Sequence, residues 1–144
     1  MTGVVSINHY TWLLALQQYV WFFCFYSRTV RLTNCSLIQR SVSFQGNMMV
    51  SGHNKCNRWY FKFNGNECSG PMTIEAAVFN YWFSGNAHLL HHRSFEGCCE
   101  NIPQGAVRVE LWVGKCSSET LGDAYTGWES VSQIMIDEVS RPQS

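Results

Sequence analysis

The sequence predicts an all-β fold, a sandwich or barrel of short strands, and three observations favour it. Residues 58–63 and 106–113 alternate apolar and polar side chains with the two-residue period of a half-buried strand. Asn64-Gly65 follows the first segment directly, and this dipeptide is a strong short-range signal for a hairpin turn. Aromatic residues make up 15% of the chain and charged residues only 14%, which fits two packed sheets better than a solvated helical bundle.

The two alternating segments also predict which side chains enter the core. In residues 58–63, one face carries Trp59, Phe61 and Phe63, and the other carries Arg58, Tyr60 and Lys62. In residues 106–113, the inward set is Val107, Val109, Leu111 and Val113, and the outward set is Arg108, Glu110 and Trp112. An outward Trp needs a partner or a ligand more often than an outward Lys does, so Trp112 marks a candidate interface.

Four further segments complete the expected set of strands. Residues 41–50 alternate at first, with a kink or bulge expected at Gly46. Residues 73–83 contain a helix-friendly Glu-Ala-Ala, but their β-branched and aromatic content favours a strand. Residues 87–95 are a weaker candidate, and residues 130–139 alternate clearly again. Clusters of Gly, Asn and Ser separate the segments, as is typical of sandwiches and barrels.

Length and charge limit the classes of function. The 144 residues are enough for one domain, and 10 basic residues balance 10 acidic ones. Because a nucleic-acid-binding protein normally carries a basic patch or stripe, we expect no nucleic acid partner. No Asp or Glu precedes Glu67, so the two halves of the chain are oppositely charged. The simpler interpretation of this uneven charge is mutual attraction within one domain or between subunits. The more specific interpretation is a basic face that binds sulfated glycans or membranes.

The N-terminal segment allows several interpretations. Residues 10–26 carry no formal charge, but they fall short of the roughly 20 apolar residues that a spanning helix needs. A secretion signal, a membrane anchor and a buried strand or helix of the domain are the alternatives, together with an N-terminus that is not native to the mature protein. We favour a secretion signal and predict that residues 1–40 lie outside a domain formed by residues 41–144. A membrane partner is expected only if residues 10–26 stay uncleaved.

Candidate chemistry is sparse, and one cluster carries it. His88, His91 and His92 precede Cys98 and Cys99, and two imidazoles with one thiolate are suitable zinc ligands. A Cys–His nucleophile would also need an orienting Asn or Asp. Solvated or packed histidines are the simpler interpretation. The chain has no phosphate-binding Gly loop and no CxxC pair, so we expect no cofactor and no catalytic residues.

Long blocks of the sequence resemble a known family. The blocks are RWYFKFNGNECSGPMTI at residues 58–74, HRSFEGCCE at 92–100, AVRVELWVGKC at 106–116 and GDAYTGWESVSQIMIDEV at 122–139. They are similar to the C-terminal domain of the collagen triple helix repeat-containing protein family, over roughly residues 41–139. The chain departs from the family in having no Gly-X-Y stem, and the family's mid-domain glycosylation sequon is not kept at Asn86.

The resemblance implies a fold and a function class. It implies a C1q-like jelly roll that forms a homotrimer, secretion, and association with extracellular matrix without enzymatic activity. It further implies a role in cell migration and in Wnt signalling through Wnt–Frizzled receptor complexes. Cys56, Cys68, Cys99 and Cys116 match the family's cysteine pattern, so two bridges are expected among them in any of three connectivities. Cys98 is then free or paired with Cys35. The sequon at Asn34 predicts a glycan if the chain is secreted.

Overall fold

The computed structural model describes residues 3–7, 23–31, 38–81, 90–103, 105–128 and 130–140. The described residues form strands without any helix. In chain order the strands are β1 (Gly3–Ile7), β2 (Phe23–Arg31), β3 (Ile38–Ser51), β4 (Lys55–Phe63), β5 (Asn66–Glu67), β6 (Glu75–Asn80), β7 (His91–Cys99), β8 (Ala106–Lys115), β9 (Asp123–Thr126) and β10 (Ser132–Ser140).

The strands form two antiparallel sheets. In the first, named here the β3 sheet, the order is β1-β10-β3-β7, and β9 pairs with the second half of β3. In the other, the β4 sheet, the order is β2-β8-β4-β5. Strand β6 also pairs with β4, at residues that precede those paired with β5. The all-β sandwich predicted from the sequence is confirmed, because the described strands form two antiparallel sheets that enclose one hydrophobic core.

One hydrophobic core lies between the sheets, and the predicted inward residues supply much of it. From the β4 sheet it contains Trp59, Phe61, Phe63, Val107, Val109, Leu111 and Val113. From the β3 sheet it contains Val42, Phe44, Met48, Val50, Ile134 and Ile136. Buried apolar side chains occupy alternate positions along β8 and the second half of β4, so these strands turn one face toward the core.

The turn predicted at Asn64-Gly65 connects β4 to β5. Both residues have positive φ, 50° for Asn64 and 86° for Gly65, as the favoured two-residue hairpin turns require. The Asn64 backbone N–H donates to the Arg108 carbonyl at 2.8 Å, and the Arg108 N–H donates to Asn64 Oδ1 at 2.8 Å. The turn is thereby attached to the start of β8.

Several strand boundaries differ from the predictions. Strand β3 begins at Ile38, three residues before the predicted segment. Two strands precede it in the chain, and β1 pairs with β10 and β2 pairs with β8. The division into a segment at 1–40 and a domain at 41–144 stays a prediction. Strand β7 ends four residues later than the predicted segment at 87–95, and β6 begins two residues later than predicted.

Polar contacts join the two sheets at one end of the sandwich. Trp59 Nε1 donates to Thr126 Oγ1 at 2.8 Å. The buried amide of Asn57 makes two bonds to the backbone of Gly122, both 2.9 Å long. Gly122 is required there, because a Cβ would come within 2.6 Å of the Ser51 carbonyl oxygen. These bonds hold the segment between β8 and β9 against β4.

Candidate binding surface

The face of the β4 sheet that is opposite the core carries several charged and aromatic side chains. We call it the outer face, and it is the surface opposite the core. Its central members are contributed by β4, β5, β6 and β8: Arg58, Tyr60, Lys62, Glu67, Glu75, Glu110 and Trp112. The register places Glu75 and Trp112 on either side of Tyr60, because both residues pair directly with it.

Arg58 bridges two carboxylates on the outer face. Its guanidinium donates to Glu67 on β5 and to Glu75 on β6. Partial burial alone would lower the pKa of Arg58, but the hydrogen bonds and charges of Glu67 and Glu75 outweigh it and raise the pKa above its ordinary value. The Arg58 guanidinium stays charged at any physiological pH, and its two ion pairs link the two short strands along the same edge of β4.

Tyr60 lies beneath Arg58 and is almost fully buried. The guanidinium carbon sits 4.0 Å from the ring centroid, a cation–π distance. Burial raises the pKa of Tyr60, and the charge of Arg58 offsets only part of this. The alternation correctly assigned Tyr60 to the face opposite the core, but long side chains cover that face and remove the ring from water.

Trp112 points away from the core, as the alternation predicts, and contacts a cation of its own chain. The Lys62 ammonium lies 4.1 Å from the centroid of the Trp112 rings. This contact covers part of the indole, which remains partly exposed. Trp112 is thus held in place within one chain, and its outward position alone does not establish an interface.

Two exposed rings extend the outer face along β6. Phe79 and Tyr81 stack with centroids 5.8 Å apart and planes inclined by 24°. They retain 45% and 59% of their accessible surface, so they are among the largest exposed apolar side chains described. Aromatic and Arg side chains are enriched in protein interfaces. The outer face therefore has the composition of a contact surface.

The four cysteines that match the family pattern form two bridges. Cys56 joins Cys116, and Cys68 joins Cys99. The first bridge ties the start of β4 to the residue after β8, and the second links the two sheets. Cys98 is an exposed free thiol.

The predicted histidine and cysteine cluster does not assemble into a metal site in the described part of the chain. His91 and His92 are exposed on β7, and Cys99 is already bonded to Cys68. No three His, Cys, Asp or Glu side chains converge on a metal-binding geometry in the ranges that the structure describes. His88 lies outside those ranges. The thiol- or zinc-dependent alternative thus receives no support.

Two other predictions fall on residues that the structure does not describe. The sequon at Asn34 and Cys35 lies outside the described residues, as does most of the apolar segment 10–26. In the described ranges, no helix is long and apolar enough to cross a bilayer.

The ion bridge and the exposed aromatic pair were not found from the sequence. Arg58 was assigned to the correct face, but its partners Glu67 and Glu75 belong to two strands whose shared edge depends on tertiary pairing. Phe79 and Tyr81 lie at alternate positions of the strand predicted over residues 73–83, and this spacing is the signal that could have placed them on one face. The alternation of apolar and polar residues does not indicate that the outer face stays exposed at Phe79 and Tyr81.

A family comparison covers most of this fold. The family model described as CTHRC1, C-terminal domain, matches residues 18–136. The matched range begins before β2 and ends within β10, so it includes every strand from β2 to β9. Both disulfides, the outer face and the Asn64-Gly65 turn lie inside it. Because the match spans well over half of the chain, the protein belongs to the CTHRC1 C-terminal domain family.

Proposed function

We propose that the chain is a secreted, non-enzymatic binding module of the extracellular matrix and cell surface. Family membership supports this proposal, and the observation that carries it is the pair of bridges Cys56–Cys116 and Cys68–Cys99. Disulfides persist in oxidising compartments and are rare in the cytosol. An outer face with stacked aromatic side chains suits a protein that acts by contact.

Expression of the full chain in mammalian cells tests secretion. We expect the protein in the culture medium, with Asn34 glycosylated, and an intact mass that reports any cleavage of the N-terminal segment. The Asn34→Gln variant serves as the matched control for the glycan. Protein retained in the cytosol with reduced cysteines would contradict the proposal.

The signalling role is the finer part of the proposal. We propose that the module modulates Wnt signalling and cell migration through Frizzled-type receptors, as the family resemblance implies. Surface plasmon resonance with an immobilised Frizzled ectodomain measures this directly. Saturable binding supports the role, whereas no binding of the native protein at micromolar concentration contradicts it without affecting the assignment as a secreted module.

Assembly into a homotrimer is also proposed from the family resemblance. Multi-angle light scattering of the secreted protein gives the molar mass independently of shape. A mass three times that of the chain supports the trimer. A monomer across the accessible concentration range would contradict it.

A further inference from the structure

The turn between β4 and β5 places an electrophile beside a nucleophile of the same chain. Asn64-Gly65 is the only Asn-Gly dipeptide in the sequence. A bond from the backbone nitrogen of Gly65 to the side-chain carbon Cγ of Asn64 closes a succinimide ring, because both atoms belong to one short run of bonded atoms. Groups joined in this way react at an effective concentration far above that of separate molecules.

The fold leaves this turn open to water. Asn64, Gly65 and Asn66 are all exposed. Apart from its chain neighbours, the one described atom within 4 Å of a Cβ built on Gly65 is Arg108 Nη2, at 3.8 Å. Solvent can therefore reach the turn, both to take a proton from the Gly65 nitrogen and to hydrolyse a ring formed there.

A hydrogen bond of the fold points at the oxygen that would carry charge in this reaction. The backbone N–H of Arg108 donates to Asn64 Oδ1 at 2.8 Å. Attack on Cγ places negative charge on Oδ1, and a backbone N–H at this distance stabilises an oxyanion. The bond that attaches the turn to β8 thus also favours attack on the Asn64 amide.

We propose that Asn64 is a site of spontaneous deamidation in the folded chain. The Gly65 nitrogen bonds to Asn64 Cγ and gives its proton to water, the bond from Cγ to Nδ2 breaks, and ammonia leaves with a proton taken from water. A water molecule then opens the ring at one of its two carbonyl carbons. Opening at Cγ gives an aspartyl residue, and opening at the backbone carbonyl gives an isoaspartyl residue.

The two products have different effects on the turn. An aspartyl residue keeps the backbone path, so its N–H still donates to the Arg108 carbonyl and its carboxylate still accepts from the Arg108 N–H. An isoaspartyl residue carries the chain through its side chain and adds a methylene group to the backbone. Because a short hairpin turn fixes the register of its strands, the added length shifts β5 against β4. Glu67 lies on β5, so its ion pair with Arg58 on the outer face is lost with the register.

The rate is measured on the purified full chain, kept at physiological pH and temperature in heavy-oxygen water and analysed by peptide mass spectrometry. Each conversion replaces an NH2 group by OH and incorporates heavy oxygen. Asn54 and Asn101 are matched internal controls, because both are exposed and have positive φ, but Lys55 and Ile102 follow them. We expect Asn64 to convert at least about tenfold faster than either control, since a side chain on the following residue hinders its nitrogen.

Two further samples separate the effect of the sequence from that of the fold. A synthetic peptide of residues 60–67 contains the dipeptide without the fold, and we expect the folded chain to convert within about tenfold of its rate. The Asn64→Gln variant should not convert, because its longer side chain would have to close a larger ring.

Hydrogen exchange tests the effect on the turn. The isoaspartyl form is isolated by chromatography after incubation, and the Asn64→Asp variant is the matched control for the new charge. We expect faster amide exchange in β5 and at Arg108 in the isoaspartyl form, with the variant exchanging like the native chain.

Each outcome decides part of the proposal. Equal conversion at Asn64, Asn54 and Asn101 would overturn the site, as would an intact Asn64 in the folded chain under conditions that convert the peptide. An isoaspartyl form that exchanges like the native chain would overturn the effect on β5. The inference goes beyond the proposed function and does not depend on it, so its failure leaves the secreted module as proposed.

Discussion

Removal of the Cys68–Cys99 bridge should strongly destabilise the fold. The bridge spans a sequence separation of 31 residues. The chain-entropy relation for a closed loop of this length gives a loss of about 3.7 kcal/mol at 25 °C when the cross-link is removed. For a domain of this size, that loss corresponds to a fall in melting temperature of roughly 10–15 °C. The Cys68→Ala/Cys99→Ala double variant makes the change without leaving a buried thiol.

Equilibrium urea unfolding followed by tryptophan fluorescence measures this loss. Cys98→Ala is the control, because Cys98 is adjacent in sequence but exposed and free. We expect it to unfold within about 0.5 kcal/mol of the native chain, as surface substitutions usually do. A double variant that loses less than about 1 kcal/mol would refute the loop-closure argument. So would a Cys98→Ala variant that loses as much as the double variant.

Three further substitutions test the packing and polar contacts by urea unfolding. Gly97→Ala should cost about 1–3 kcal/mol, because the new methyl group overpacks against Ile74, and an unchanged midpoint would contradict that contact. Asn57→Ala should cost about 2 kcal/mol, since it removes both hydrogen bonds to Gly122, and a loss under about 0.5 kcal/mol would argue against them. Burial raises the pKa of Tyr60, so the folded chain keeps the hydroxyl proton of Tyr60 at a pH at which the unfolded chain has already lost it. The stability that the folded chain has below about pH 10 therefore falls as the pH rises further. Tyr60→Phe should show a smaller fall between about pH 9 and about pH 11, and an identical fall in both proteins would contradict the assignment.

Local pattern was sufficient to predict the centre of the β4 sheet. The alternation of Trp59, Phe61 and Phe63 with polar residues fixes one face of β4, and Asn64-Gly65 fixes where the strand turns. In both cases the determining interactions lie within a few residues along the chain. The alternation predicted over residues 130–139 is also found in β10, where Ile134 and Ile136 share one face and enter the core.

Features that depend on distant partners could not be predicted in the same way. Strand β9 covers only Asp123–Thr126, and its existence depends on pairing with the far half of β3. Strand β2 begins inside an uncharged run that also fits a signal or an anchor, because an apolar composition does not distinguish among these environments. Four cysteines allow three connectivities, so the pairing follows only once the strands are placed.

Exposure at the candidate surface also escaped prediction. Tyr60 and Phe79 both lie on the outer face, yet Tyr60 is buried and Phe79 is 45% exposed. The difference arises because Arg58 lies over the ring of Tyr60, and its position is set by Glu67 and Glu75. Alternation predicts which face of a strand a residue occupies. Whether that residue is then exposed to water depends on side chains from other strands.

A disulfide map of the full chain recovered from the medium of mammalian cells tests both the pairing of the cysteines and the secretion of the protein. Non-reducing peptide mass spectrometry after alkylation identifies each linked pair and each free thiol. We expect Cys56 linked to Cys116, Cys68 linked to Cys99, and Cys98 carrying the alkylating label. Four free thiols at the bridge positions, a different pairing, or the absence of the chain from the medium would contradict a disulfide-bonded extracellular module.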